Sequence, residues 1–178
     1  SDWEALKKEQ FDCVLVLGGD GTLLRMAGET EDIDIPLFGI NLGTVGFLTE
    51  GEVANIEEIL GRLLTDDFTI EERMMVTGTV TKADGTTYHK SALNDIVISR
   101  AGFSRLIGLN VSVDGQVLDT YEADGVVIST PTGSTGYNLS AGGPIVSPDA
   151  ELLVITPVSP HSLTAKSIVL SGKEEITI

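Results

Sequence analysis

Cysteine occurs once in these 178 residues and histidine twice, too few for an internal disulfide framework or for the ligand set of a structural zinc site. Cys13 lies inside an apolar run and reads as a small core residue, which suits a reducing compartment, so a cytoplasmic location is expected. Basic residues are scarce as well: 11 Lys and Arg against 27 Asp and Glu leave a formal charge of −16. A surface of that sign repels nucleic acid and anionic membranes, and neither is an expected partner. The residues present contain no secretory h-region and no apolar run long enough to span a bilayer. Neither glycine loop is followed by the Lys-Ser or Lys-Thr of a Walker P-loop, and Gly133-Ser134-Thr135-Gly136 lacks the spacing of a nucleophile elbow. What remains is 42% hydrophobic, with a mean hydropathy of +0.19, enough for a real core in one large or two small domains.

The chemistry concentrates in two glycine-rich stretches. Leu17-Gly18-Gly19-Asp20-Gly21-Thr22-Leu23-Leu24-Arg25 follows the apolar run 13–17, which has the composition of a buried parallel strand, and helix-compatible residues follow over 22–28. Glycines in such a strand-to-helix turn let phosphate oxygens approach the backbone, where the helix start offers N–H groups and a positive dipole end. Asp20 would repel a phosphate. It reads instead as a proton acceptor for an attacking hydroxyl, as a metal ligand, or as an ordinary turn residue. The second stretch, 124–144, is too long and too rich in hydroxyls for a tight turn and reads as a long loop. Two such loops in a small chain point to one cleft.

Around them the periodicity divides the chain. Residues 1–10 read as a helix end, 37–40 as a second parallel strand ending in glycine and asparagine, and 53–64 as a helix with apolar residues at helical spacing. This predicts a doubly wound, Rossmann-like α/β domain over 1–70. From 71 to 178 the pattern alternates and predicts a mostly antiparallel β domain, with strands over 75–82, 87–98, 107–113 and 117–121 and shorter ones over 152–155, 167–170 and 175–178. Asp84-Gly85 and Asp114-Gly115 predict hairpins with type I′ turns.

Taken together, Gly18-Gly19-Asp20-Gly21-Thr22, the segment from Gly39-Ile40-Asn41-Leu42-Gly43 to Gly46-Phe47-Leu48, Asn94-Asp95, Thr130-Pro131-Thr132-Gly133-Ser134-Thr135 and Pro160-His161-Ser162-Leu163 resemble, in this order, the motifs of NAD kinases. The resemblance runs from about residue 12 to 170. It implies transfer of the terminal phosphate of ATP or polyphosphate to the 2′-hydroxyl of the adenosine ribose of NAD, with Mg²⁺ or another divalent cation accompanying the ATP and the active site between two domains. By the same resemblance Asp20 is the catalytic base, and Gly18, Gly19, Gly21 and Thr22 hold phosphates. Arg25 reaches an anionic group of a substrate, or is simply a solvated helix residue. NAD contacts fall to Gly21, Arg25, Asn94, Asp95, Arg105, Asp124, Thr135, Gly136, Tyr137, Asn138, Leu139 and Ser140. Asn94 and Asp95 suit a vicinal diol, because an amide donates and accepts while a carboxylate accepts from each hydroxyl; the plainer alternative is an Asx turn. Tyr137 presents its ring to a base or ribose, or belongs to the core.

Two positions depart from the family pattern. Gly136 stands where alanine is usual, and Glu122 where many relatives carry a basic residue. The resemblance also implies more chain on both sides of this one, and assembly into a homodimer or homotetramer. Two other readings compete: a lipid kinase of the diacylglycerol or sphingosine type, which shares Gly-Gly-Asp-Gly, and a non-catalytic NAD-binding module.

Overall fold

The computed structural model describes residues 11–43, 46–102 and 106–178, which fall into two compact units, Ser1–Glu71 and Glu72–Ile178. The helix end expected over 1–10 and the contact expected of Arg105 lie outside the described residues.

In the first unit β1 (Val14–Leu17) leads through Gly18 and Gly19 into α1 (Asp20–Glu29), followed by β2 (Leu37–Asn41) and β3 (Gly51–Glu52). A 3₁₀ turn, Val53–Asn55, then runs into α2 (Ile56–Leu64), so the apolar period over 53–64 is helical as expected. The three strands form a parallel sheet in the order β1-β2-β3, with Val14 opposite Leu37 and Leu17 opposite Ile40. Val16, Leu23 and Met26 make a small core, with Val14, Leu37 and Leu48 packed on it. Two details differ from expectation. The first strand is not buried along its length: Val14 and Val16 turn toward α1, while Leu15 and Leu17 alternate to the other face and stay 38% and 54% exposed. And α1 starts at Asp20, because Gly19 takes the extended N-cap position and an acidic first turn complements the positive helix end.

The second unit is antiparallel β. Its strands are β4 (Val76–Thr81), β5 (Thr87–Ala92), β6 (Asp95–Ser99), β7 (Ile107–Val113), β8 (Gln116–Ala123), β9 (Gly125–Ser129), β10 (Leu152–Val158), β11 (Ile168–Ser171) and β12 (Ile176–Thr177). They form a sheet β11-β10-β9-β6, a sheet β12-β7-β8 and the hairpin β4-β5. One core joins them: Val76, Leu109, Val111, Tyr121, Ala123, Val126, Ile128, Leu153 and Ile155.

Here the sequence reading needs three corrections. The continuous strand expected over 87–98 breaks at Leu93 and Asn94, where the chain leaves the β4-β5 hairpin and joins β9; the carbonyls of those two residues accept the Thr130 hydroxyl and the Thr130 N–H (2.8 Å) respectively. The long loop over 124–144 begins with β9, whose five residues are all buried between β6 and β10, and continues as a 3₁₀ turn (Thr132–Thr135) and the short helix α3 (Tyr137–Ser140). The two hairpin turns also differ in kind. Asp114 and Gly115 both have positive φ (48° and 76°), as type I′ requires, whereas only Gly85 does at the first turn (83°), where Gly85 N–H bonds Lys82 O and Lys82 N–H bonds Thr86 O. The first is therefore a type I turn closed by a glycine bulge.

Candidate active site

The first cluster of motif residues is local to the α/β unit. Gly18 and Gly19 bring the chain from β1 to the start of α1, where Gly19 O accepts the N–H groups of Thr22 (2.9 Å) and Leu23 (3.3 Å) and the positive helix end can face an anion. Gly18 needs its missing side chain, since its φ is 159° and a Cβ would sit 2.4 Å from Thr22 Oγ1. Gly21 is on the exposed face of the first turn, and Thr22 is half-buried beneath Gly18. Arg25 is exposed on α1 and forms an i,i+4 ion pair with Glu29 at 3.7 Å, a contact of little energetic weight in solvent.

The Asp20 carboxylate turns back across the chain. Oδ2 accepts the N–H of Phe47 (2.7 Å), and Oδ1 accepts those of Leu48 (3.0 Å) and Thr49 (3.2 Å), with the Thr49 hydroxyl at 3.4 Å. Burial pushes this carboxyl up, but the three backbone donors and the Thr49 hydroxyl outweigh it and hold the group below the ordinary carboxylate range. It is thus an anion with Oδ1 fully used and one lone-pair site left on Oδ2.

A second cluster forms in the β unit because β6 and β9 pair with Asp95 opposite Ser129. That register sets Asn94-Asp95 against the turn that follows β9. Thr130 is fully buried and accepts the Gly133 N–H on its hydroxyl (3.1 Å). Gly133 is packed so tightly on Asn94 that a Cβ would fall 2.0 Å from the Asn94 carbonyl oxygen. At Gly136 a Cβ would meet Gly133 O at 3.3 Å, a tight contact, and Asn94 Nδ2 at an ordinary 3.5 Å. Asn94 Oδ1 is buried and has no hydrogen-bond partner. Beside it burial pushes the Asp95 carboxyl above its usual range. Thr135 and Gly136 are half-buried, and Tyr137, Leu139 and Ser140 are exposed on α3.

Asn138 is held inside the unit. It is completely buried, Nδ2 donates to Ser134 O (3.0 Å) and Pro144 O (2.9 Å), and Oδ1 accepts the Thr156 hydroxyl (2.7 Å). Its side chain is buried and holds the 134–144 segment together.

Asp124 lies at the opposite end of the same strand pair, where Ser99 faces Gly125. Arg100 holds it at two points: its N–H donates to the Asp124 carbonyl (3.0 Å) and its Nε to the carboxylate (2.6 Å), while the guanidinium also reaches Gly102 O. Arg100, Asp124 and Tyr137 line one pocket of about 380 Å³. Arg100 was missed in the sequence. The available signal was a cation at a strand end in a chain with few of them. Among the described residues, no three His, Cys, Asp or Glu side chains are placed to hold a metal ion, and no helix is long and apolar enough to cross a membrane.

Comparison with known proteins bears on both clusters. Residues 1–68 match the ATP-NAD kinase N-terminal domain and residues 93–178 the ATP-NAD kinase C-terminal domain. The chain is 51% identical over 172 residues to an NAD kinase of Lachnoclostridium phytofermentans, covering 96% of this chain and 60% of the relative. To an NAD kinase of Agathobacter rectalis it is 46% identical over 187 residues, covering 100% and 65%. Among solved structures, yeast NADH kinase complexed with NADH superposes with a TM-score of 0.87 at 32% identity, covering 94% of this chain and 50% of that one. An NAD kinase from Archaeoglobus fulgidus in complex with ATP gives 0.78 at 35% identity, covering 93% and 64%. The chain thus spans roughly three-fifths of the length of the curated relatives it matches.

Proposed function

Because this chain belongs to the ATP-NAD kinase family, we propose that it carries that family's reaction, moving the terminal phosphate of ATP or polyphosphate to the 2′-hydroxyl of the adenosine ribose of NAD. One observation supports it most: Asn94 Oδ1 is buried without a donor, next to an Asp95 carboxyl that burial has made reluctant to ionise. Buried acceptors short of donors are costly, and a vicinal diol supplies two hydroxyl donors. NADH and ATP, found in the two solved relatives, fit the roles of acceptor and donor.

On this reading Asp20 takes the hydroxyl proton on the free lone pair of Oδ2. The glycine turn and Thr22 meet the phosphates, and Arg25 exchanges Glu29 for a substrate anion. Asp124, steadied by Arg100, and Tyr137 line the dinucleotide path. Thr135, Gly136, Leu139 and Ser140 edge the ring-binding surface, and Arg105 adds a contact to NAD. A divalent cation, held by the donor's own phosphates, would supply neutralisation of the charge on the transferring group. The enzyme is assigned to the cytoplasm and to a homo-oligomer. The lipid-kinase reading finds no support in these comparisons, since both matched domains and all four relatives named above belong to NAD or NADH kinases.

The test is to supply NAD or NADH with ATP or polyphosphate and Mg²⁺ and to detect the 2′-phosphorylated product. The intact chain should form it, and Asn94→Ala should weaken NAD binding by about 1–3 kcal/mol, roughly 5- to 150-fold. NAD binding by calorimetry with no product from any donor and acceptor pair would identify a binding module instead.

A further inference from the structure

The hydrogen bonds of Asp20 say more than its assignment as a base requires. A proton acceptor needs one accessible oxygen, yet this carboxylate reaches 27 residues along the chain to accept the N–H of Phe47 and gathers those of Leu48 and Thr49 as well. Three successive N–H groups converging on one anion form a nest, a concave backbone arrangement that an anion holds in shape. The fit is close: a Cβ on Gly46 would lie 2.1 Å from Asp20 Oδ1. Thr49 extends the link inward, since it is 6% exposed and its hydroxyl also accepts Asn41 Nδ2 (3.0 Å), while Asn41 Oδ1 accepts the Gly43 N–H (2.7 Å). The turn after β1 and the segment after β2 are thereby joined through one carboxylate.

We infer that Asp20 is also the positioning residue of the 46–49 segment, its carboxylate filling an anion nest made by the N–H groups of Phe47, Leu48 and Thr49. The bond to Phe47 N–H lies in solvent, so no packing holds that amide in place of the carboxylate. Its consequence for catalysis rests on the kinase reading: loss of the carboxylate removes a base and releases a segment beside it, so affinity for NAD falls along with turnover. A residue acting only as a base would leave binding of NAD unchanged.

Amide hydrogen exchange of the ligand-free protein separates the structural claim from the enzymatic one. Asp20→Asn keeps the side-chain size but sets an NH₂ against backbone donors; Gly46→Ala leaves the Asp20 carboxylate intact and intrudes on its seat. Both variants should exchange the amides of Phe47, Leu48 and Thr49 at least about tenfold faster than wild type, with α1 and the amides of β9 unchanged. In turnover, Gly46→Ala should raise the KM for NAD although the base is still present. Unaltered exchange at 47–49 in Asp20→Asn overturns the inference, as does loss of protection spread evenly over α1 and β1, which marks a general folding role. Failure of wild type to make product would sink the kinase reading and leave the exchange result standing.

Discussion

Two side chains of the β unit carry costs that substitutions can expose. Burial raises the Asp95 carboxyl pKa, so the folded state holds its proton to higher pH than the unfolded chain does. The sign follows: this group favours the fold fully below the ordinary carboxyl pKa of about 4, and that contribution is lost as pH rises through the folded value. Asp95→Asn should therefore raise the denaturation midpoint at pH 7, with the gap closing below about pH 4, while weakening NAD binding. A gap independent of pH would count against it. Tyr121 is 2% exposed in the core and its hydroxyl has no partner. Tyr121→Phe removes that unsatisfied group and keeps the ring, so urea denaturation should show a gain of about 1 kcal/mol; a loss of stability would mean that the hydroxyl is satisfied in solution. Neither cost is visible in sequence. Tyr121 reads there as one tyrosine among three, and the seating of Asn94 depends on a residue 36 positions later, Thr130.

At the level of elements, the hairpins and α2 were legible because Asp-Gly turns and helical spacing are local signals. The run Gly125-Val126-Val127-Ile128-Ser129 was not recognised as a strand, although five unbroken weakly polar or apolar residues are what a strand buried on both faces looks like; the hydroxyl-rich residues after it gave the whole stretch the look of a loop. The Leu93-Asn94 break was hidden for another reason. The one local interruption in 87–98 is the Asn94-Asp95 pair, and Thr130 takes the Leu93 and Asn94 carbonyls where the chain changes sheet. That junction yields a paired prediction. Gly133→Ala drives a Cβ into the Asn94 carbonyl and should cost about 1–3 kcal/mol in thermal unfolding. Gly136→Ala, which restores the family's usual residue and meets contacts of 3.3–3.5 Å, should cost less than Gly133→Ala, since its penalty comes from a ψ of −127° and not from a clash. Equal effects of the two would contradict the geometry.

For the molecule as a whole, self-association and charge oppose each other. Val80 and Tyr88 on the β4-β5 hairpin and Val117 and Leu118 on β8 are 60%, 49%, 76% and 41% exposed, apolar surface of the kind that copies can cover. A formal charge of −16 per copy resists their approach. Light scattering should find a dimer or tetramer whose dissociation weakens as salt rises and screens that repulsion; a monomer at high protein concentration in high salt would exclude it. The larger unit also contains a gauge. Asp95 begins β6 and Ser99 ends it, four strand steps or about 14 Å apart, with Asn94 just before one end and the Arg100–Asp124 pair just past the other. Because β6 is locked in register to the fully buried β9, that interval does not stretch. A ligand in contact with both ends would have to bring that length itself.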